Sequence, residues 1–466
     1  GLPSGALADI LDRRRYFAAT QLWVLVVALV LAAVSLAGRL TPPLLLLLTF
    51  VNGVGLAMRW PVFAAIVPQV VDRSHLPMAL ALNGIAMNLS RVVGPAIAGL
   101  LLATVGAGAV FVLNALLAAV AFFLILRWKS EARTSTLPGE RFVGAMRAGL
   151  NYTWQSPRLR TVLLRIGLFF AQASGLMALL PLVAQQMHGG GPASFTMMLS
   201  MVGAGAIVAA FSFPRWRERY TRDQFVLTGT LVHAVLSSAI VLVDEIWFAV
   251  PAMFIIGMAW ISVANSLTVA AQTAMPDWVR ARGMSIYQMA LMGGSAAGAL
   301  VWGQVASHTT VQVAVLAAAG LGVIVLLATR RLSVEWVQEI DFTPARGGSA
   351  PEPAWSIGPD EGPVMVTLEY QIDPARAEEF EDVMQRTRRA RLRQGALSWS
   401  LFRDTVDPGR YVEYYVDENW LEHHRRLERF TAFDAELRTR RLALHIGAEP
   451  PLLRRHVAAL QDRPPI

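Results

Sequence analysis

The 466-residue sequence contains no cysteine. Disulfides and thiolate metal sites are thereby excluded, and the redox compartment leaves no mark on the composition. Charge is also scarce: 16% of residues are Asp, Glu, Lys or Arg, against 55% hydrophobic, where a soluble globular chain carries about 25% charged residues. Acidic residues are missing from one place in particular, since none lies well inside any long apolar run. No phosphate-cradling loop of the type Gly-x-x-x-x-Gly-Lys-Ser/Thr is present, so the chain encodes no ATP motor. Neither a metal nor a cofactor is expected.

What the chain does have is about ten long apolar segments: 16–38, 42–70, 76–104, 107–127, 161–187, 192–212, 225–243, 246–272, 278–305 and 309–330. About 20 apolar residues carry a helix across the roughly 30 Å of bilayer hydrocarbon. Lipid offers the backbone no hydrogen bonds, so these segments must be helices. The basic residues fall in alternate gaps. One set of gaps holds Arg13 to Arg15, Arg73, the 127–160 loop, Arg215 to Arg222, Arg280, Arg282, Arg330 and Arg331; the other set holds only Arg39. Positive residues stay on the cytoplasmic side. The spacing therefore predicts a multi-pass protein of the cell membrane with the 128–160 loop and everything after Arg331 inside. The net charge of +8 is read as a topology signal plus attraction to anionic lipid, and no nucleic-acid partner is expected.

The chain repeats itself at an offset of about 208 residues. Pro68-Gln-Val-Val-Asp-Arg returns as Pro276-Asp-Trp-Val-Arg-Ala, and the basic loop Arg215–Asp223 falls on the first loop, Leu7 to Arg15. Parallel six-helix repeats are a known transporter plan. The first repeat is about 48 residues shorter ahead of its proline than the second. An N-terminally truncated protein is thus expected, with ten helices of a parent's twelve.

Two motifs sit in this frame. Gly5-Ala-Leu7-Ala-Asp9-Ile-Leu-Asp12-Arg13-Arg14-Arg15 joins two helices; its glycine permits close approach, its acids can cap a helix, and its arginines can pair with acids or carbonyls. Arg91-Val-Val-Gly94-Pro95-Ala-Ile-Ala-Gly99 sits within a span, where proline kinks the helix and small residues permit tight packing. On Gly5, Leu7, Asp9, Arg13 and Arg14 the chain resembles the major facilitator superfamily, with Ile10 and Asp12 departing from its loop pattern. Ser90-Arg-Val-Val-Gly-Pro95 is most similar to the enterobactin-exporter-type branch of that superfamily, the transmembrane secretion effectors. The resemblance covers about residues 1–331 and implies an all-α multi-pass fold that moves small organic molecules, siderophores, macrolides or other drugs, by gradient-driven efflux.

Three residues inside the spans are candidates for a substrate cavity. A membrane arginine is costly and should face a cavity and a partner, so Arg59 and Arg91 either attract a polar or anionic substrate group or brace a helix through backbone carbonyls. His233 either titrates near neutral pH or packs as a satisfied histidine. With no membrane acid present, a coupling proton would ride on His233, on Asp9 or on a residue outside this sequence. Phe142, Met146, Leu150 and Trp154 recur every four residues, which predicts an amphipathic helix on the inner leaflet joining the two bundles.

After residue 331 the pattern changes. The expected divisions are 1–127, 128–160, 161–331, a linker over 332–363 and a separate domain over 364–466. Val364–Ile372 alternates as a strand, Asp373-Pro374 starts a helix with Phe380, Val383, Met384 and Thr387 inward, and Leu397 to Leu401 and Tyr411 to Val416 alternate again. A helical stretch follows over 420–444, broken near Phe430–Thr431, and Pro451–Ala458 closes the sheet. The order β-α-β-β-α-β predicts a small ferredoxin-like α+β domain, and the charge run Arg386–Arg393 reads as a solvated helix face. The domain resembles the antibiotic-biosynthesis-monooxygenase type of dimeric α+β barrel, which implies a possible homodimer. It also opens another function, a membrane-anchored ligand sensor or a cofactor-free monooxygenase using Asn419, Trp420 or His424.

Overall fold

The computed structural model describes residues 12–70, 82, 86, 90, 93–94, 97–98, 101–102, 104–128, 142–190, 192–335, 340–345 and 352–459. The chain divides into two compact units: residues 1–134, 161–273 and 284–336 form one; 135–160, 274–283 and 337–466 form the other.

The first unit is helical: α1 (Arg13–Leu36), α2 (Pro42–Val70), α3 (Ala107–Arg127), and then, numbering past α4 of the other unit, α5 (Pro157–Gln186), α6 (Pro192–Arg217), α7 (Arg222–Val243), α8 (Ile246–Thr273), α9 (Asp277–His308) and α10 (Val311–Thr329). Nine helices among the described residues are long and apolar enough to span a bilayer. The expected span 76–104, with Arg91, Pro95 and Gly99, falls largely outside the described residues, as do Gly5, Leu7 and Asp9. Large apolar side chains stay exposed along these helices, Phe50, Leu46, Phe123 and Leu300 among them. A surface of that kind is stable only under lipid.

The helices start where short polar side chains meet apolar runs. The Asp12 carboxylate caps α1 by accepting the Arg15 N–H at 3.0 Å. Thr221 opens α7 with a reciprocal capping box: its hydroxyl accepts the Gln224 N–H at 3.3 Å, and the Gln224 side chain accepts the Thr221 N–H at 2.9 Å. The two caps occupy matching places in the repeat. The packing matches too: α1 lies against α2 and α3, and α7 against α8 and α10. Leu176, Leu180, Met198, Ile240, Met253 and Ile256 form a continuous buried cluster in the second half. The crossing of α6 and α8 depends on glycine on both sides. A Cβ on Gly205 would lie 1.9 Å from the Phe254 carbonyl oxygen, and one on Gly257 would lie 2.0 Å from that of Val202. Backbone-to-backbone contact of this kind is what small residues permit between membrane helices.

The second unit contains α4 (Phe142–Gln155), β1 (Val364–Gln371), α11 (Ala377–Gln394), β2 (Ser398–Arg403), β3 (Arg410–Asp417), α12 (Trp420–Glu428), α13 (Ala432–Leu442) and β4 (Leu452–Val457). The strands pair antiparallel in the order β2-β3-β1-β4. Asp373 starts the helical turn before α11, accepting the Ala375 N–H at 2.9 Å, and Gly395 ends α11 at φ 118°. Phe380, Met384, Val364, Tyr370, Tyr411 and Tyr415 fill the space between sheet and helices.

One expectation is corrected here. The run Arg386–Arg393 is not wholly a solvated face: Arg391 is buried and its Nε donates to Glu413 at 3.1 Å. The reason is phase, since residue 391 follows 380, 384 and 387 on the same helix face. In α4, Leu150 and Trp154 are exposed, whereas Ala145, Ala148 and Tyr152 are buried. The apolar stripe is therefore present, but the packed face is the opposite one. There α4 lies on α11, and the Arg147 guanidinium pairs with Glu418 at 3.0 Å.

Candidate functional site

The candidate residues inside the helical unit occupy separate polar islands. Arg59, on α2, points its Nη1 at the Gln21 side-chain oxygen of α1, 3.3 Å away. Gln21 is itself buried and donates its Nε2 to the Ala118 carbonyl of α3 at 3.2 Å. The arginine is thus held through a glutamine that ties three helices together, and the partner is a neutral amide. Among the described residues no carboxylate meets this arginine, which leaves it able to attract an anionic or polar group.

His233, on α7, is 1% exposed. Its Nδ1 lies 3.3 Å from the Ser237 hydroxyl, and its Nε2 has no hydrogen-bond partner among the described residues. The ring sits in an aromatic box made from α5, α7 and α8: Phe169 at 5.9 Å, Trp260 at 6.2 Å, and Phe170 edge-on to Trp260 at 4.9 Å. In the same half, neither amide atom of Gln172 nor the Ser266 hydroxyl finds a partner among the described residues. Each unmet polar atom costs about 1–3 kcal/mol. Three such side chains in one helix bundle can offer hydrogen bonds to water or to a bound molecule. No hydrogen bond or ring contact among the described residues joins Arg59 to His233. Arg91 lies outside the described residues, and Gly94 is a helical, exposed glycine with open space around its Cα.

At the basic ends of the helices the two repeats carry comparable latches. In the first, the Arg14 guanidinium donates to the Leu126 carbonyl at the end of α3; Arg13 opens α1 beside it. In the second, Arg165 donates to the Asp223 carboxylate at 3.0 Å and to the Thr329 carbonyl at 2.8 Å. Asp223 also accepts from the Ser333 hydroxyl at 2.5 Å and from the backbone N–H groups of Val334 and Glu335 at 3.0 and 3.1 Å. Glu335 in turn accepts the Arg222 N–H at 2.6 Å and lies 3.8 Å from Arg217. One carboxylate thereby closes α5, α7 and the end of α10 together. Sequence reading found the basic loops but missed Arg165 and Asp223. Their signal was an arginine inside an apolar run and an acid at the matching helix start.

The second unit has its own charged centre. Glu413 on β3 is fully buried and accepts from Arg391, from the Trp399 indole at 3.0 Å and from the Tyr370 hydroxyl at 3.0 Å. Burial pushes its carboxyl up, but the Arg391 and Arg441 guanidiniums and the donated hydrogen bonds outweigh that and hold it below the usual range. At the strand's end, Asp417 binds Arg426 at 2.9 Å and His423 Nδ1 at 2.7 Å. Asp417 is likewise held low, by Arg426 and His423 against the opposing effect of burial. His423 is held below its ordinary value by burial, against the pull of Asp417. Of the residues expected to support oxidation, Asn419 caps α12 by accepting the Glu422 N–H at 2.8 Å. Trp420 stacks on His423 at 5.4 Å, and His424 meets it edge-on.

These groups set a pH response. The unfolded chain takes up protons on His below about pH 6.5 and on carboxylates below about pH 4.5, while the folded domain resists all three. Stability is therefore lost on acidification, beginning below about pH 6.5. Thermal melts of this domain's transition should show a midpoint that falls steadily from pH 7 to pH 4; a flat profile would contradict the buried neutral imidazole.

The comparisons with known proteins agree with this architecture. Over 213 residues the chain is 23% identical to the staphyloferrin A transporter of Staphylococcus aureus, covering 46% of this chain and 53% of that protein. It is 23% identical over 207 residues to macrolide efflux protein A of Enterococcus faecalis, covering 44% and 64% respectively. The matched region thus spans about half to two thirds of those relatives. Among solved structures, a POT family transporter in complex with a thioalcohol-conjugated peptide superposes with a TM-score of 0.55 at 13% identity, covering 71% of this chain and 84% of that one. The helical region has the major facilitator fold, and the whole is a multi-pass membrane protein. The transmembrane secretion effector model matches residues 1–464, and the chain belongs to that family.

Proposed function

We propose that this protein is a secondary active exporter of small organic molecules, driven by an ion gradient and working by alternating access. The observation that carries the reading is the pair of helix-end latches, Arg14 with Leu126 and Arg165 with Asp223, repeated in two halves of a family of transporters. Latches of this kind brace each bundle at its basic end, so that the two bundles can rock as bodies about a midplane cavity. Siderophores and macrolides are the substrate classes suggested by the relatives' names, and the Arg59 guanidinium, which meets no carboxylate among the described residues, favours acidic or strongly polar members of either. Protons are the coupling ion in this reading, with His233 as a carrier within the described spans.

The C-terminal domain is read as cytoplasmic, because the basic gaps put everything after Arg331 inside. The strand order β2-β3-β1-β4, antiparallel and with helices on one face, supports a ferredoxin-like module of the dimeric α+β barrel type. Its other face carries Phe402 stacked on Tyr414, with Met365 and Leu452 exposed, and suits a second copy of the domain. The domain then serves regulation or dimerisation, after a linker over 332–363.

The test is flux in proteoliposomes. An imposed pH gradient should drive movement of an acidic siderophore or a macrolide, and Arg59→Ala should reduce it at least tenfold while the protein stays folded and monodisperse. Turnover or tight ligand binding by the protein's C-terminal domain, without any flux, would overturn the transporter reading in favour of a sensor or enzyme.

A further inference from the structure

A cavity of about 460 Å³ lies between α6, α7 and α8, at the end of the helices that carries the basic turn. It falls within the range of about 300–1,000 Å³ typical of ligand sites. It is separate from the His233 box and from both latches. Gln224, Thr228 and Val232 climb one face of α7 in steps of four, and Ile255, Ala259 and Ser262 climb the facing side of α8. Eight residues of helix rise about 12 Å, so the walls form a slot rather than a bowl. Its outer edge is apolar and uncovered: Ile255 and Tyr220 are exposed, as are Leu231 and Val235 on α7 beside it. In a spanning helix such an edge faces hydrocarbon, not water.

The two ends of the slot differ in chemistry. The deep end is bare hydrocarbon, formed by Val232, Ile255 and Met258. The other end is framed by Trp216 and Tyr220, the two side-chain types that settle at the headgroup level of a bilayer. Phe213 and Tyr220 both pack on Phe225, at 5.1 and 6.2 Å, and fix that frame. Arg215, Arg217 and Arg219 follow in the same turn, with one acid, Glu218, among them. Arg217 has Glu335 at 3.8 Å; Arg215 and Arg219 are exposed and carry no ion pair among the described residues. An apolar slot open to the bilayer, an aromatic collar and unpaired guanidiniums at its polar end match one ligand chemistry: an acyl chain attached to an anionic head.

We propose that this slot binds an anionic phospholipid, with one acyl chain along α7 and α8 and the phosphate facing Arg215 and Arg219. The lipid would fill the groove between α6, α7 and α8 and seat the turn that presents Asp223 to Arg165. A neutral drug-like molecule would need no guanidiniums, and a zwitterionic lipid would bring a cation along with its phosphate and so gain less from them.

The experiment uses the full chain purified in mild detergent, titrated with dioleoyl phosphatidylglycerol or dioleoyl phosphatidylcholine, whose chains are identical. Native mass spectrometry reads bound lipid, and thermal melting reads stabilisation. Phosphatidylglycerol should be retained in preference. Arg215→Gln combined with Arg219→Gln should reduce that preference roughly tenfold, since each basic residue near an anionic headgroup is worth a several-fold factor. Thr228→Trp, which fills the slot, should abolish retention of the tightly held lipid. The double arginine variant alters only exposed side chains, so it carries the test if the tryptophan variant fails to fold. Equal retention of the two lipids would overturn the proposal, as would unchanged phosphatidylglycerol retention in the arginine variant. The assay needs neither sidedness nor flux, so its outcome is independent of the transport reading.

Discussion

Glu413→Ala should unfold the C-terminal domain at temperatures where the parent protein holds it folded. Glu413 is fully buried, and its side chain meets Arg391, Trp399 and Tyr370 at 3.0–3.1 Å. Deleting it leaves the Arg391 guanidinium in the core with no counter-charge. Removing one partner of a buried pair costs about 3–5 kcal/mol, a large share of the 5–15 kcal/mol that typically holds a domain together. The cation packed on the Tyr415 ring at 4.5 Å would remain, but a ring face does not neutralise a charge. Glu413→Gln should recover only part of the loss, because it restores shape and an acceptor without the charge. Circular dichroism melts of the full chain measure this directly. A shift of under a degree for Glu413→Ala would mean that solvent reaches the pair and that the domain interior is not as closed as described.

Asp223→Ala should weaken the second latch and loosen the end of the helical unit. Its carboxylate gathers Arg165, the Ser333 hydroxyl and two backbone N–H groups. Arg165 is 6% exposed as a side chain and Asp223 is 31% exposed, so the cost lies below that of a fully buried pair, about 2–3 kcal/mol. In the transport reading this latch keeps the second bundle closed at its basic end. The variant should therefore raise the labelling rate of a cysteine placed at Val334, whose side chain is buried and which meets Asp223 only through its backbone, in a chain with no native thiol. Arg165→Ala should act in the same direction and by less than the sum in the double variant, since the two side chains share one interaction. Labelling and melting temperature unchanged in Asp223→Ala would remove the latch from the account.

Much of the helical architecture was legible because lipid leaves a chain few choices. Span lengths, their order and the repeat of basic turns all follow from hydrocarbon thickness and backbone hydrogen bonding. In the C-terminal domain the alternation of Val364–Gln371 and of Arg410–Asp417, and the break between α12 and α13, read correctly from period and capping residues. What escaped was the polar interior. Glu413 lies in phase with Tyr411 and Tyr415 on one face of β3, and Arg391 in phase with Phe380, Met384 and Thr387 on α11. The pattern held the information, but charge was read as exposure. Burying either residue alone would be prohibitive; burying both together is not, and pairing is a tertiary fact. The packed face of α4 escaped for a different reason. Ala145, Ala148 and Gly149 are too small to stand out as an apolar stripe, yet small residues are what let a helix lie close to its neighbour. Arg59 was expected to need a partner, but nothing in the spacing pointed to Gln21.

The segments that share a compact unit with the C-terminal domain include α4 and the turn 274–283. Tyr152 donates its hydroxyl to the Ala274 carbonyl at 2.7 Å and meets the Trp278 ring edge-on, and Arg429 covers that indole at 4.7 Å. Together with the pair of Arg147 and Glu418, these contacts fasten the domain at two places besides its own covalent tether. Cutting the polypeptide between residues 336 and 352 would consequently not set the domain adrift. It would stay moored to α4 and to the 274–283 turn, so a protease cut in the tether would leave the unit in one piece.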